Sequence, residues 1–355
     1  MAGILCSVFQ TRGSQWLTRG CRSENRPDRP DILRLRHHPD DLFALVGATA
    51  EHLGLDPTFV EKDFWVTELL RSLSRPLPDN SGGQDVAVVF KGGTSLSKVY
   101  RLVDRFSEDV DILLVCESVG TGQRDRVLKY LCARVGADLD LDSDKCRLSA
   151  STRGVKRNVR YHYPLRMPSP VITEGVLLEM GIRGGPEPNA VHSFRSLAAH
   201  HGIEVVGDSP DTWAEYAPVE IAVLGAERTL VEKLSLLHGR ALRLDDEPEA
   251  LLGAGRHYYD IYRVLASSDV RQRLESLPGG VAALAEDIEA RSREAGLPSG
   301  PRPAGGFATS PAFSRNSPAG EAGHAAYQRA AGLIWGEIPT FDDCLAKVHE
   351  FARVL

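Results

Sequence analysis

The 355-residue chain contains no CxxC pair, and its six cysteines (Cys6, Cys21, Cys116, Cys132, Cys146 and Cys344) do not cluster with histidine. That pattern argues against a zinc site or a disulfide frame, and reduced thiols in a cytoplasmic protein are the expectation. No apolar run reaches membrane-spanning length, and the opening MAGILCSVF lacks the charged start and the length of a secretory signal. No membrane association is expected. Internal repeats and coiled-coil heptads are also missing, which leaves solenoids and long helical rods aside. Positive charge is not in excess either: 42 basic residues face 48 acidic ones, a formal charge of −6. Any nucleic-acid partner must therefore meet a local patch. What remains is a globular composition, 42% hydrophobic and 25% charged, long enough for two domains or one large one.

The stretch with the most chemical content is VVFKGGTSLSKVYRLVDRFSEDVDILLV, residues 88–115. A β-branched apolar run ends at Lys91, Gly92 and Gly93, after which Leu96, Val99, Tyr100 and Val103 recur at helical spacing. This predicts a strand, a glycine turn and a helix. Glycines let the backbone approach a bulky anion, Thr94 and Ser95 offer hydroxyls, and free N–H groups at a helix start favour negative charge, so the turn is a candidate phosphate seat. A second apolar strand then begins with Asp109 and Asp111. Residues two apart on a strand share a face, which lets both carboxylates hold hard divalent cations side by side.

The glycine turn followed by a helix and DxD resembles the sugar-phosphate nucleotidyltransferase superfamily typified by DNA polymerase β. The fuller string GGTSLSKVY…RFSEDVDIL resembles one branch of it, the AbiEii-type nucleotidyltransferase toxins of bacterial toxin-antitoxin and abortive-infection systems. The spacer from Thr94 to Asp109 is longer than is usual in the wider superfamily. VEKDFWV at 60–66, TLVEKLSLLH at 229–238 and RHYYDIYRVL at 256–265 are similar to further signatures of that branch, so that the resemblance covers roughly residues 37–265.

Along the chain, residues 1–30 are polar, Arg-rich and broken by Pro27 and Pro30, and read as a disordered arm or a mis-assigned start. Helices are predicted after a cap at Asp40, after the Asp56–Pro57 pair, and over Arg124–Val135. Glu61 and Lys62 in VEKDFWV either touch the site or form a surface ion pair. A Pro/Gly/Asn loop is expected at 75–85. The segment 145–166 holds seven cations and no acid, with Tyr161, His162 and Tyr163 near its end. Cations beside aromatics suit a single-stranded nucleic acid, which makes Arg153, Lys156, Arg157, Arg160 and Tyr161 candidate RNA contacts; a solvated hairpin is the alternative. GVLLEMGIR (175–183) reads as a strand with one acid, Glu179, which either completes a metal site or pairs with Arg183. VEIAVLG (219–225) reads as a strand and AERTLVEKLSLLHGRAL (226–242) as a helix. Residues 296–323 read as a long surface loop or lid, followed by helices at 324–336 and 341–354.

The resemblance implies an α+β fold: a polymerase-β-like nucleotidyltransferase domain with a mixed sheet at 31–188, and a largely helical C-terminal domain at 189–355. It implies that Asp109, Asp111 and Glu179 bind two Mg²⁺ ions, and that Gly92, Gly93, Thr94 and Ser95 together with Lys233 bind the NTP. Asp260 would orient Lys233 or act as a base on the attacking hydroxyl, although a pairing with Arg256 one turn earlier is equally open. The implied activity is that of a toxin transferring NMP to an acceptor hydroxyl, with the tRNA 3′ end as acceptor and a separate antitoxin protein as partner. A small-molecule or protein acceptor, including Ser107, and a binding module without chemistry are the other readings.

Overall fold

The computed structural model describes residues 32–355 except 79–85, 106, 108, 117, 171 and 295–299. The expected arm at 1–30 and most of the 75–85 loop lie outside the described residues. Residues Leu33–Leu355 form one compact unit.

Helices α1 (Pro39–Leu53) and α2 (Pro57–Ser74) open it. Asp56 caps α2 as predicted, its carboxylate accepting the Thr58 N–H at 2.8 Å. α1 starts differently: the cap is His38, without a side-chain bond, and Asp40 sits in the first turn. Pro39 has no N–H to satisfy and takes the first helical position instead.

The next elements are β1 (Ala87–Lys91), α3 (Gly92–Lys98), β2 (Asp109–Val115), α4 (Thr121–Asp138), β3 (Cys146–Thr152), β4 (Lys156–Tyr161), β5 (Val176–Gly181), β6 (Asn189–Phe194), α5 (Leu197–His201) and β7 (Val219–Leu224). The strands form one seven-stranded mixed sheet in the order β3-β4-β5-β2-β1-β7-β6. β2 runs antiparallel to β1 and parallel to β5. The sheet continues past residue 188, because β6 and β7 are part of it; the helical layer begins at α6 (Ala226–Ala241). It continues through α7 (Pro248–Leu252), α8 (Arg256–Ala266), α9 (Ser268–Glu275), α10 (Gly280–Glu294), α11 (Pro318–Ala330) and α12 (Phe341–Glu350).

Strand alternation divides the sheet into two chemically different faces. Phe90, Val110, Ile112, Leu114, Leu178, Met180, Ile221 and Val223 are buried in one core with α1, α2 and α4. The intervening residues, among them Lys91, Asp109, Asp111, Glu179 and Asn158, therefore fall on the opposite face. A second core lies within the helical layer and also takes in Leu96 and Val103 from the segment that joins β1 to β2.

The expectation of a surface lid at 296–323 is corrected. Short 3₁₀ turns at Phe307–Thr309 and Pro311–Phe313 bury both Phe307 and Phe313, each 0% exposed, in the helical core, and α11 starts at Pro318. A Pro/Gly-rich composition marks irregular backbone and does not by itself say whether aromatic anchors tie it down. Among the described residues no helix is long and apolar enough to cross a membrane.

Truncating a fully buried ring leaves a cavity, so Phe307→Ala should lower the unfolding free energy by about 3–5 kcal/mol. The exposed neighbour variant Arg315→Ala should change it by less than about 1 kcal/mol. Urea unfolding of both checks the packed-loop finding, since a solvated lid would leave the two variants alike.

Candidate functional site

Asp109 and Asp111 lie on the polar face of β2. In the parallel register with β5, Asp111 stands opposite Glu179 and Asp109 opposite Leu177. One strand further out, Asn158 is opposite Glu179 and donates to its carboxylate at 2.7 Å. Glu179 thus faces the aspartates and Asn158, and forms no ion pair with Arg183 among the described residues. Burial, followed by the charges of Asp111 and Asp109, raises the Glu179 pKa. Burial also raises that of Asp111, with Lys91 opposing and Asp109 adding to it. These carboxylates share a desolvated face and repel one another, which is the situation a hard cation relieves.

In kind, face and register the three acids fit a divalent cation bound by oxygen. Protein cations stand close by: Arg256 is 4.0 Å from Asp109, and Lys91, opposite Asp111 in the β1–β2 register, binds Glu232 at 3.3 Å. Among the described residues no group of three or more His, Cys, Asp or Glu side chains is arranged to hold a metal ion as it stands.

The glycine turn is built against these acids. Gly92 has φ +80°, and a Cβ there would collide with the Asp111 carboxylate. At Gly93 a Cβ would meet the Arg105 guanidinium and, at 3.2 Å, the Ser107 hydroxyl. Glycine is needed at both positions for close approach, and at the first for its backbone as well. Thr94 Oγ1 donates to the Asp109 carbonyl, and Ser95 Oγ donates to the Gly92 carbonyl at 2.8 Å. Both hydroxyls close the turn onto itself and onto β2.

Behind the turn is a buried charge network, of which the Lys233–Asp260 contact was among the expectations and Arg105 was not. Arg105, 1% exposed, grips Asp260, 0% exposed, through Nε at 2.5 Å and Nη2 at 2.7 Å. Asp260 also receives Lys233 Nζ at 2.8 Å, and Lys233 lies 3.3 Å from His257 Nδ1. Burial pushes the Asp260 carboxyl up, but Arg105 and Lys233 outweigh it and hold it well below the usual carboxylate range. A carboxylate held so firmly ionised is a poor proton acceptor. Asp260 thus pairs with Lys233 and Arg105, the contact that an orienting role would need, and forms no ion pair with Arg256 among the described residues. Burial also keeps His257 neutral, with the Lys233 charge acting in the same direction. Lys233 lies within electrostatic reach of Asp111. Arg105 was missed because its partner is 155 residues away in sequence; the only trace was a lone cation in the return to an apolar strand.

The basic segment at 145–166 becomes the β3–β4 hairpin, and period two splits its candidates. Lys156 and Arg160 share the parity of Asn158 and lie on the carboxylate face, with Arg160 opposite Leu177 and Leu177 opposite Asp109. Arg153 is exposed in the hairpin turn. Arg157 has the opposite parity and acts on the Cys132 thiol of α4. Tyr161 requires a correction as a stacking platform: it is 1% exposed and its hydroxyl donates to the Cys132 carbonyl at 2.9 Å. Glu61 and Lys62 are no surface pair either. Glu61 accepts the backbone N–H groups of Arg166 and Met167 at 3.0 and 2.9 Å, and Lys62 donates to the Thr173 carbonyl at 2.9 Å.

The family described as "Nucleotidyl transferase AbiEii toxin, Type IV TA system" matches residues 71–347, about three quarters of the chain. The chain belongs to this AbiEii family. The match takes in the glycine turn, all three carboxylates, Arg105, Lys233 and Asp260, and it reaches into α12. VEKDFWV at 60–66 lies outside the matched span. No curated protein matches the chain. Membership makes this a nucleotidyltransferase of toxin-antitoxin type.

Removing one partner of the Arg105–Asp260 pair leaves a charge buried alone, so Arg105→Ala should lower the unfolding free energy by about 3–5 kcal/mol. The pH dependence has a definite sign. A depressed folded-state pKa stabilises the fold above the unfolded carboxylate value, near pH 4, and this contribution is lost as pH falls below it. Urea unfolding between about pH 7 and about pH 3 should therefore show a smaller acid-side loss in Asp260→Asn than in the unmodified protein. Equal losses would mean that Arg105 does not hold Asp260 ionised.

Proposed function

We propose that this AbiEii-family protein is a metal-dependent nucleotidyltransferase toxin that moves NMP from an NTP to an acceptor hydroxyl, the 3′ end of tRNA. The observation that carries the reading is the shared face of Asp109, Asp111 and Glu179, in register on neighbouring strands and pressed against a glycine turn. Asp109 and Asp111, with Glu179, would hold Mg²⁺. When bound, the metal supplies positive charge to the transferring phosphate and acidifies an attacking hydroxyl.

The chain's own residues do the rest by positioning and charge. A cavity of about 500 Å³ opens beside the turn, lined among others by Thr94, Ser107, Lys98 and Arg101. The rings of Phe59 and Trp335, both lining it, lie 4.5 Å apart. Rings for a base, Arg101 beside the Lys98–Asp63 pair and a volume in the range of small-ligand pockets suit an NTP whose phosphates would extend past Thr94, since Asp109, Asp111, Glu179 and Lys233 do not themselves line this cavity. Lys233, shared by Asp260 and His257, adds a fixed positive charge behind the carboxylates.

The decisive assay incubates the protein with Mg²⁺, each labelled NTP in turn and total tRNA, beside an Asp109→Ala, Asp111→Ala variant. Label should reach tRNA with the unmodified protein and fall to background with the variant. Label on the protein itself would move the acceptor to a hydroxyl such as Ser107, and no labelling at all would sink the enzymatic reading. A second expectation follows from the raised pKa values of Asp111 and Glu179: protons compete with the metal. Mg²⁺ affinity, measured by calorimetry, should climb as pH rises through and above the ordinary carboxylate range and level off once both acids are ionised. A pH-independent affinity would remove these two residues from the ligand set.

A further inference from the structure

A second cavity, of about 400 Å³, shares no lining residue with the first. Lys91 from β1, Arg183 just after β5, and Arg228, Arg240 and Arg243 in and after α6 line it, with Arg291 of α10 closing one side. Some of these cations have partners. Glu232 takes Lys91 at 3.3 Å and Arg228 at 3.4 Å, while Asp287 takes Arg228 at 2.6 Å and Arg291 at 2.8 Å. Glu289, also on the lining, is held by Arg293 at 2.5 Å.

Arg183, Arg240 and Arg243 form no ion pair among the described residues, and the buried Nε of Arg243 has no hydrogen-bond partner. Like charge is concentrated here. Burial, then Arg256 and Arg243, push the Arg240 guanidinium below its ordinary value, against the partial opposition of Glu247. Arg256 in turn stands 4.0 Å from Asp109. Arg256, which does not line the cavity, thus acts on Arg240 electrostatically and stands beside a carboxylate of β2, in a chain whose net charge is −6. Arg240 and Arg243, half-buried and without an ion pair, beside the exposed Arg183 and with Glu247 as a nearby acid on the lining, call for an anion from outside, and guanidinium forks match phosphate oxygens.

The lining also says which part of a nucleic acid fits. The first cavity has Phe59 and Trp335; the second has no aromatic residue among those that line it. Nothing in it stacks a base, and what it offers is charge. We propose that the cavity framed by Arg183, Arg240 and Arg243 is a phosphate-chain site, and that it receives the sugar-phosphate backbone of the acceptor RNA as the RNA's end reaches Asp109. The proposal rests on the transferase reading for its choice of RNA over a free polyphosphate.

The test reads binding without metal or catalysis, so it stands apart from the label-transfer assay. Fluorescence anisotropy with a labelled RNA hairpin carrying a single-stranded 3′ end is measured for the full chain, for Arg240→Gln with Arg243→Gln, for Arg183→Gln, and for Arg329→Gln on the exposed side of α11 as a charge control. ATP and inorganic tripolyphosphate are titrated in parallel, and urea midpoints confirm that each variant folds. The double variant should bind RNA at least about tenfold more weakly, with a log–log salt slope shallower by about 0.7–1 per arginine removed, while ATP affinity stays unchanged. Arg243→Lys, which keeps the charge, should retain most of the affinity. RNA binding that is unchanged, or reduced no more than by Arg329→Gln, overturns the proposal. Loss of ATP or tripolyphosphate binding with RNA binding intact would assign the phosphate chain to the nucleotide, and the RNA assignment would fall. Label transfer to tRNA that persists at full apparent affinity in the double variant would remove this cavity while leaving the transferase reading in place.

Discussion

The carboxylate of Asp260 holds two buried cations at once, and the arrangement of the site depends on it. Arg105 comes from the segment that leads into β2, Lys233 from α6 and Asp260 from α8. One ion network therefore pins the helical layer to the strand that carries Asp109 and Asp111. The same guanidinium occupies the space that a side chain at Gly93 would need. A network of this kind tolerates a missing member poorly, because each charge is desolvated and depends on its counter-charge. It acts as a geometric constraint between the turn, the carboxylate strand and the helices.

Around that anchor the protein separates its apolar and polar chemistry by strand parity alone. One face of the sheet is a hydrocarbon surface against α1, α2 and α4; the other gathers acids that repel one another and cations that moderate the repulsion. Net negative charge overall and dense positive charge near the acids are complementary features. A net negative charge disfavours indiscriminate binding of polyanions, while Lys91, Arg256 and Arg240 make a local exception near the carboxylates.

Membership of the AbiEii family fits that exception, since a nucleotidyltransferase acts on a phosphate-bearing nucleotide. The two cavities differ in their chemistry. One combines aromatic rings with cations beside the glycine turn, and the other is lined by guanidinium groups without a ring. The first is lined mainly from α1 to α3 and the segment after β6, the second mainly from α6 and α10 together with Lys91 and Arg183 at the strand ends.

The chain's local chemistry was legible wherever it was set by residues near in sequence. The glycine turn, the DxD strand, the Asp56 cap and the helix carrying Lys233 all follow from spacing and side-chain type, because backbone conformation and strand parity are decided within a few residues. Other features were decided only by the tertiary structure. Tyr161 looked like a stacking ring until the sheet turned it toward α4, and Phe307 and Phe313 looked like lid residues until they filled the helical core. Asp260 had three possible roles until Arg105, far away in the chain, gripped it. In each case the outcome depended on which surface met which after folding. Burial, counter-charge and cavity lining belong to pairs of distant elements, and sequence spacing carries no information about them.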